Sequence, residues 1–194
     1  MNNEERLEKL NDYLKELYYD KKGELLFHGW HHINFVRKKS KLFAQELKVD
    51  TFIVESSALV HDLNYIVENN SQVNTGKKLR EEILKKCNYT NEEIAIIEKI
   101  VNEEDVSTRD ENISIEAKAL SDADTLFKCL PFTPILFASK YLQETGTDIQ
   151  ELAKKIICEQ NPLLEKGIYF YTEFANKHYL KWAQINLDIW NNMQ

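Results

Sequence analysis

Histidine is scarce in this chain and unevenly placed. Of five histidines, three fall in Phe27-His28-Gly29-Trp30-His31-His32, and a fourth, His61, is followed directly by Asp62. Imidazole titrates near neutral pH and, when neutral, ligates divalent transition ions, so the cluster points to proton transfer or metal binding. His28 and His32 are four residues apart and would share a helix face, and His31, three from His28, can also approach it. A histidine on a helix is most often an ordinary polar residue, and a His-Asp pair alone is a weak motif. The setting of this pair gives it weight. Ser57-Ala58-Leu59-Val60 precedes it and Leu63 follows, so an ionised carboxylate would sit in an apolar helix, at a cost unless it is paired or holds a cation.

A second source of carboxylates is Ser121-Asp122-Ala123-Asp124-Thr125-Leu126, flanked by Ala117, Ala119, Leu120 and Phe127. Alone, such aspartates more often serve as helix caps or lie on an exposed face. Beside the clustered histidines they become candidate ligands, and the residues themselves leave Asp122 and Asp124 both open.

The elements that must position these groups read as helices throughout. Leu7, Leu10, Tyr13, Leu14, Leu17 and Tyr18 mark an apolar face from Glu4 to about Tyr19. A second helix runs from near Gly29 to Leu47, with Ile33, Val36, Phe43 and Leu47 as its stripe. A third is apolar from Phe52 to Leu63 and therefore central. The polar stretch from Glu68 to Thr75 is the best candidate for a mobile loop. Leu79, Ile83 and Leu84 form a face ending near Cys87, and Thr90-Asn91-Glu92-Glu93 has the form of a capping box. After the polar connection from Glu103 to Asn112, a helix from Ser114 to Leu130 stops at Pro131. A short helix spans Phe132 to Tyr141, another is capped near Asp148 and reaches Cys158, and Asn161-Pro162 opens a final helix to about Trp190.

Composition agrees. With only 5 Gly and 3 Pro in 194 residues, turn signals are too sparse for a β-rich fold, and the length suits one domain with a core of its own. The reading is a single all-α domain over residues 1–194, a compact helical bundle with a long C-terminal helix. A net charge of −7 with no basic stripe argues against duplex nucleic acid as the main partner. A small phosphorylated substrate remains compatible, because a metal can supply local positive charge. Cys87, Cys129 and Cys158 form no CxxC pair and suggest reduced thiols. With no signal-peptide core and no membrane-length apolar run, the expectation is a cytoplasmic protein without a membrane partner.

The order and spacing of these groups resemble the HD superfamily of metal-dependent phosphohydrolases, whose pattern is a His, a His-Asp pair and a distant Asp holding one metal. His32 stands four before Val36 as that family's first ligand does, His61-Asp62 is the signature pair, and Asp124 in Ala-Asp-Thr-Leu matches the closing segment better than Asp122. The resemblance spans roughly Phe27 to Leu130, leaving the C-terminal helices, residues 132–192, outside the motif core. It implies a divalent metal ion held by His32, His61, Asp62 and Asp124, with Mn, Fe, Co, Ni, Mg and Zn all admissible. Phe27-His28-Gly29-Trp30-His31-His32 is also similar to the Tyr-His-Asn-x-x-His segment of cyclic-nucleotide phosphodiesterases. That similarity assigns His28 the protonation of a leaving group, although Gly29 replaces the usual Asn.

Departures shape the expectation. No histidine lies between Asp62 and Asp124, which favours a mononuclear site. Where relatives often carry Ile-x-x-His, this chain has Val101-Asn102-Glu103, and where some use a Glu three residues past the pair it has Tyr65. The implied reaction is hydrolysis of a phosphoester, of a nucleotide or related small phosphorylated molecule, by attack of a metal-bound water. Asp62 or Asp124 would orient that water, and Lys77, Lys78 and Arg80 are nearby cations that could hold phosphate, although a Lys-rich helix surface is usually just solvated. The alternative is an HD-fold protein with reduced turnover that binds metal, nucleotide or a partner. Homo-oligomerisation is left open.

Overall fold

The computed structural model describes residues 1–105 and 112–193. Among them there is no strand. The helices are α1 (Asn3–Asp20), α2 (Trp30–Leu47), α3 (Thr51–Val60), α4 (Leu63–Val67), α5 (Lys77–Lys86), α6 (Asn91–Glu103), α7 (Ile115–Cys129), α8 (Phe132–Thr145), α9 (Ile149–Glu165) and α10 (Glu173–Asn191). A 3-10 turn, Val73–Gly76, leads into α5. No helix among the described residues is long and apolar enough to cross a membrane.

Local chemistry sets most boundaries. Asn2 with Glu5, Thr90 with Glu93 and Asp148 with Glu151 form reciprocal capping boxes at the starts of α1, α6 and α9. Asp50 caps α3 through the N–H groups of Phe52 and Ile53. The core is built on α2, which packs along both α3 and α7. Ile33, Val36 and Phe43 of α2, Val54, Ala58 and Leu59 of α3, and Ala119, Leu120, Ala123 and Leu126 of α7 are all fully buried. This triangle of apolar helices is the platform for the polar groups described below.

Four sequence expectations are revised. The third helix does not continue to Leu63. It ends at Val60, and His61 and Asp62 form a short turn before α4. Nor does a helix begin at Asn161-Pro162, because α9 carries Pro162 in its last turn and ends at Glu165. Only the hydrogen bond to Cys158 is lost, and Cys158 lies on the exposed side where water can take the freed carbonyl. The chain leaves the helix through Gly167, whose φ of 72° is open to glycine. The last helix starts at Glu173, capped by Thr172. In addition, α8 runs beyond Tyr141 to Thr145. The polar segment after Val67 is tied down rather than free. Asn64 and Ser71 exchange side chain–backbone hydrogen bonds, and Asn69 donates to the carbonyl of Glu144. The Glu103–Asn112 connection lies mostly outside the described residues.

Candidate metal centre

His32 is one turn into α2, with His28 just before the helix. Their rings are 6.0 Å apart, edge to face. The ring of His61 is aimed by its own helix end, because Nδ1 lies 2.8 Å from the carbonyl of Ala58. A carbonyl can only accept, so Nδ1 carries the hydrogen and Nε2 presents its lone pair. That lone pair faces Nε2 of His32 at 3.3 Å. Oδ2 of Asp62 lies 3.0 Å from Nε2 of His32 and 3.3 Å from Nε2 of His61. Together these three side chains offer donor atoms all within 4.8 Å of one another. Asp124, from α7, adds Oδ1 at 3.4 Å from Nε2 of His32, while its other oxygen pairs with Lys128 one turn later. Two nitrogens 3.3 Å apart, each about 2.1 Å from a shared ion, would subtend roughly 100° at it, an ordinary angle between neighbouring ligands.

Burial and mutual charge act on every group of this cluster. His32, His61 and Asp124 are buried, the two histidines at 1–2% exposure, and Asp62 is partly buried. Burial alone would push the Asp62 carboxyl up, but the neighbouring imidazoles hold it far below the usual range. Burial acts the same way on Asp124 and is outweighed by Lys128 and the two histidines. Burial pushes His32 down, towards the neutral form that ligates, against the pull of Asp62. For His61 the burial effect is overcome by Asp62, Glu104 and Asp124, which raise it.

The other sequence candidates separate clearly. His28 stacks on Tyr65 at 3.9 Å, and its Nδ1 meets Oε1 of Glu144 at 2.5 Å. Glu144, on α8, also accepts from the backbone N–H groups of Phe27 and His28. Burial pushes its pKa up, and the hydrogen bond and charge of His28 together with the backbone N–H groups of Phe27 and His28 more than reverse this. His31 turns away from the cluster and stacks on Phe137 of α8 at 4.7 Å, where burial and the neighbouring His32 lower its pKa to about 4. Asp122 is spent elsewhere. Its two oxygens accept from the backbone N–H groups of Tyr171 and Thr172, which anchors the chain just before α10. Arg80, named with Lys77 and Lys78 as a phosphate-holding cation, is fully buried and bonded to Glu98 at 2.7 and 2.9 Å and to the carbonyl of Val73. Its planar fork is matched by one carboxylate and is not available to a ligand. Lys77 and Lys78 are exposed.

Sequence reasoning missed Glu144, Lys128 and Glu104. Glu144 comes from a helix more than a hundred residues beyond His28, and no local pattern announces it. Lys128 had a signal, lying four after Asp124 on one helix. Glu104 had one too: Ile97, Val101 and Glu104 fall on one helical period, so the acid continues the buried stripe of α6. The position after Val101-Asn102-Glu103 is therefore the one that faces the core, whereas Glu103 accepts from the backbone and hydroxyl of Ser114.

A cleft opens beside the cluster, between α8, α9 and the end of α10. It is small, with a volume of about 130 Å³. His28, Tyr65 and Lys128 line its inner end, and Phe27, Tyr141 and Trp190 supply aromatic walls.

No protein-family model matches the chain. It is 30% identical over 102 residues to an uncharacterized protein of Bacillus subtilis, YpgQ, an alignment that spans 51% of this chain and 50% of that protein. The chain thus matches about half the length of that relative. Solved structures share its fold over the whole length. The crystal structure of Bacillus subtilis YpgQ superposes with a TM-score of 0.71 at 19% identity, covering 100% of this chain and 96% of that one. The Lin1889 protein from Listeria innocua gives a TM-score of 0.66 at 21% identity, with the same coverage. YpgQ has also been solved in complex with ADP, and that structure superposes with a TM-score of 0.66 at 19% identity, covering 100% of this chain and 95% of the other.

Proposed function

We propose that this chain is a metal-dependent phosphohydrolase acting on a phosphoester, with a nucleotide or a related small phosphorylated molecule as substrate. The observation that carries the reading is the convergence of His32, His61, Asp62 and Asp124 on one another, next to His28 and Lys128, which line a neighbouring cleft. The donor set fits a divalent cation: two imidazoles and two carboxylates, with the lone pair of His61 fixed by its backbone partner. When bound there, such a cation supplies Lewis acidity, lowering the pKa of water and polarising a phosphoryl oxygen.

The chain's own residues supply the remaining functions. Glu144 holds His28 by Nδ1 and fixes the ring, and Nε2 is the atom that would pass a proton to the oxygen that departs from phosphorus. Stacking against Tyr65 fixes the plane of that ring. Lys128 opposes phosphate charge at the cleft's inner end. Phe27, Tyr141 and Trp190 offer flat apolar surface to the organic part of the substrate, which suits a nucleobase. The ADP complex of YpgQ supports the nucleotide class.

The test is hydrolysis of nucleoside mono-, di- and triphosphates and an aryl phosphoester by Mn²⁺-loaded protein, with product release as the readout. Cleavage should vanish with chelator and in the His61→Ala, Asp62→Ala double variant. His28→Asn should lower kcat by about 10²- to 10⁴-fold. Tight ADP binding with no cleavage of any of these compounds would contradict the reading and favour a metal- and nucleotide-binding protein with reduced turnover.

A further inference from the structure

The cluster carries one buried acid that neither the donor set nor the cleft uses. Glu104, at the C-terminal end of α6, is 6% exposed. Its backbone is fixed on both sides, with its N–H on the carbonyl of Ile100 and its own carbonyl accepting from the hydroxyl of Ser121 on α7. The side chain is therefore held between α6 and α7. Its Oε2 is enclosed and meets no hydrogen-bond donor among the described residues. An enclosed carboxylate oxygen without a donor is costly, and proteins retain one where something else answers it. What answers it is close by, because Ser121, whose hydroxyl meets the Glu104 carbonyl, lies one turn before Asp124 on α7, and the charged groups that act on the Glu104 carboxyl belong to the same cluster. They are Asp124, His61, Lys128 and Asp62, three of them candidate ligands.

We propose that Glu104 is the fifth protein group of this metal centre, a carboxylate that anchors the cation through one intervening water. This rests on the reading of His32, His61, Asp62 and Asp124 as ligands. The placement at one remove follows from the donor set, since His32, His61 and Asp62 close to within 4.8 Å of one another and Asp124 reaches His32 at 3.4 Å, whereas among the described residues the Glu104 carboxylate makes no such contact with them. It follows also from charge. Asp62, Asp124 and Glu104 stand against the single ammonium of Lys128, and a divalent cation neutralises the excess. Partners at this distance from a metal typically alter its affinity by about 10- to 100-fold when removed.

The experiment is calorimetric titration of the metal-free protein with Mn²⁺, for wild type, Glu104→Gln and Glu104→Asp, beside thermal unfolding of the same metal-free samples. Gln keeps the shape and removes the charge. The expected result is about one Mn²⁺ per chain in all three, with affinity weakened about 10-fold or more in Glu104→Gln and less in Glu104→Asp. Metal-free Glu104→Gln should unfold at the same temperature as wild type or higher, because a repelled acid has been removed. A residue that merely filled space would show the opposite, lower stability and unchanged affinity, and that pair of results overturns the proposal. Wild type that binds no Mn²⁺ overturns it together with the metal reading. Should Glu104→Gln fail to fold, Glu104→Asp with wild-type affinity overturns it. Mn²⁺ affinity that depends on Glu104 in a protein that cleaves no phosphoester would leave this inference standing and sink the hydrolase reading alone.

Discussion

Replacing Glu144 by Ala should both loosen the fold and silence His28, and the size of the first effect can be worked from the contacts. The carboxylate is fully enclosed and accepts from the Phe27 N–H at 2.6 Å and from Nδ1 of His28 at 2.5 Å, with a longer contact to the His28 N–H at 3.3 Å. Alanine leaves at least two buried donors without a partner, each costing about 1–3 kcal/mol, so a loss of roughly 4 kcal/mol is expected. For a chain of this size that corresponds to a fall in Tm of about 8–16 °C. Glu144→Gln keeps an acceptor for the Phe27 N–H but offers no match for Nδ1–H, and should lose about 1.5–3 kcal/mol, the worth of one charge-assisted bond. Urea unfolding followed by circular dichroism measures both variants, and Mn²⁺ titration beside it shows whether the ligand cluster survives. Stability of Glu144→Ala within about 0.5 kcal/mol of wild type would refute the reasoning that this carboxylate pins α8 to the start of α2.

Asp122→Ala should cost about 2–5 kcal/mol, because the N–H groups of Tyr171 and Thr172 lose their acceptors, and should leave Mn²⁺ stoichiometry at the wild-type value. Loss of metal from a folded Asp122→Ala protein would mean that the wrong aspartate has been assigned. The His31 pKa of about 4 lies below the unfolded value near 6.5, so the unfolded chain binds the proton first as pH falls. Stability is thus complete above pH 6.5 and declines between 6.5 and 4, by about 1–2 kcal/mol after allowing for partial solvation. Urea unfolding at pH 7 and pH 5 should show a smaller acid loss for His31→Phe than for wild type.

Much of this arrangement was legible in the sequence because it depends on local rules. Capping boxes at Thr90 and Asp148 and the apolar stripe of α2 fix helices within a turn of where they lie. His61-Asp62 stood out because its flanks are apolar, although the pair proved to end a helix rather than lie inside one. What escaped depends on distance along the chain. Asp122 and Asp124 are chemically alike, and only the return of Tyr171 and Thr172 to Asp122 separates a structural acid from a site acid. Glu144 reaches His28 across 116 residues. Pro162 looked like a helix start because its ring suits that position, yet it stands inside α9, in a last turn where the freed carbonyl of Cys158 can meet water. Arg80 looked like a surface cation because its neighbours are lysines, and only the approach of Glu98 from α6 shows it to be buried.

The central claim is that His32, His61, Asp62 and Asp124 hold a divalent cation. Elemental analysis of purified protein, before and after reconstitution with manganese, iron, cobalt or nickel, tests it most directly when run beside the His61→Ala, Asp62→Ala double variant. The account predicts about one equivalent of metal per folded wild-type chain and none in the variant. No metal in wild type under any of these conditions, or equal metal in a folded variant, would contradict it.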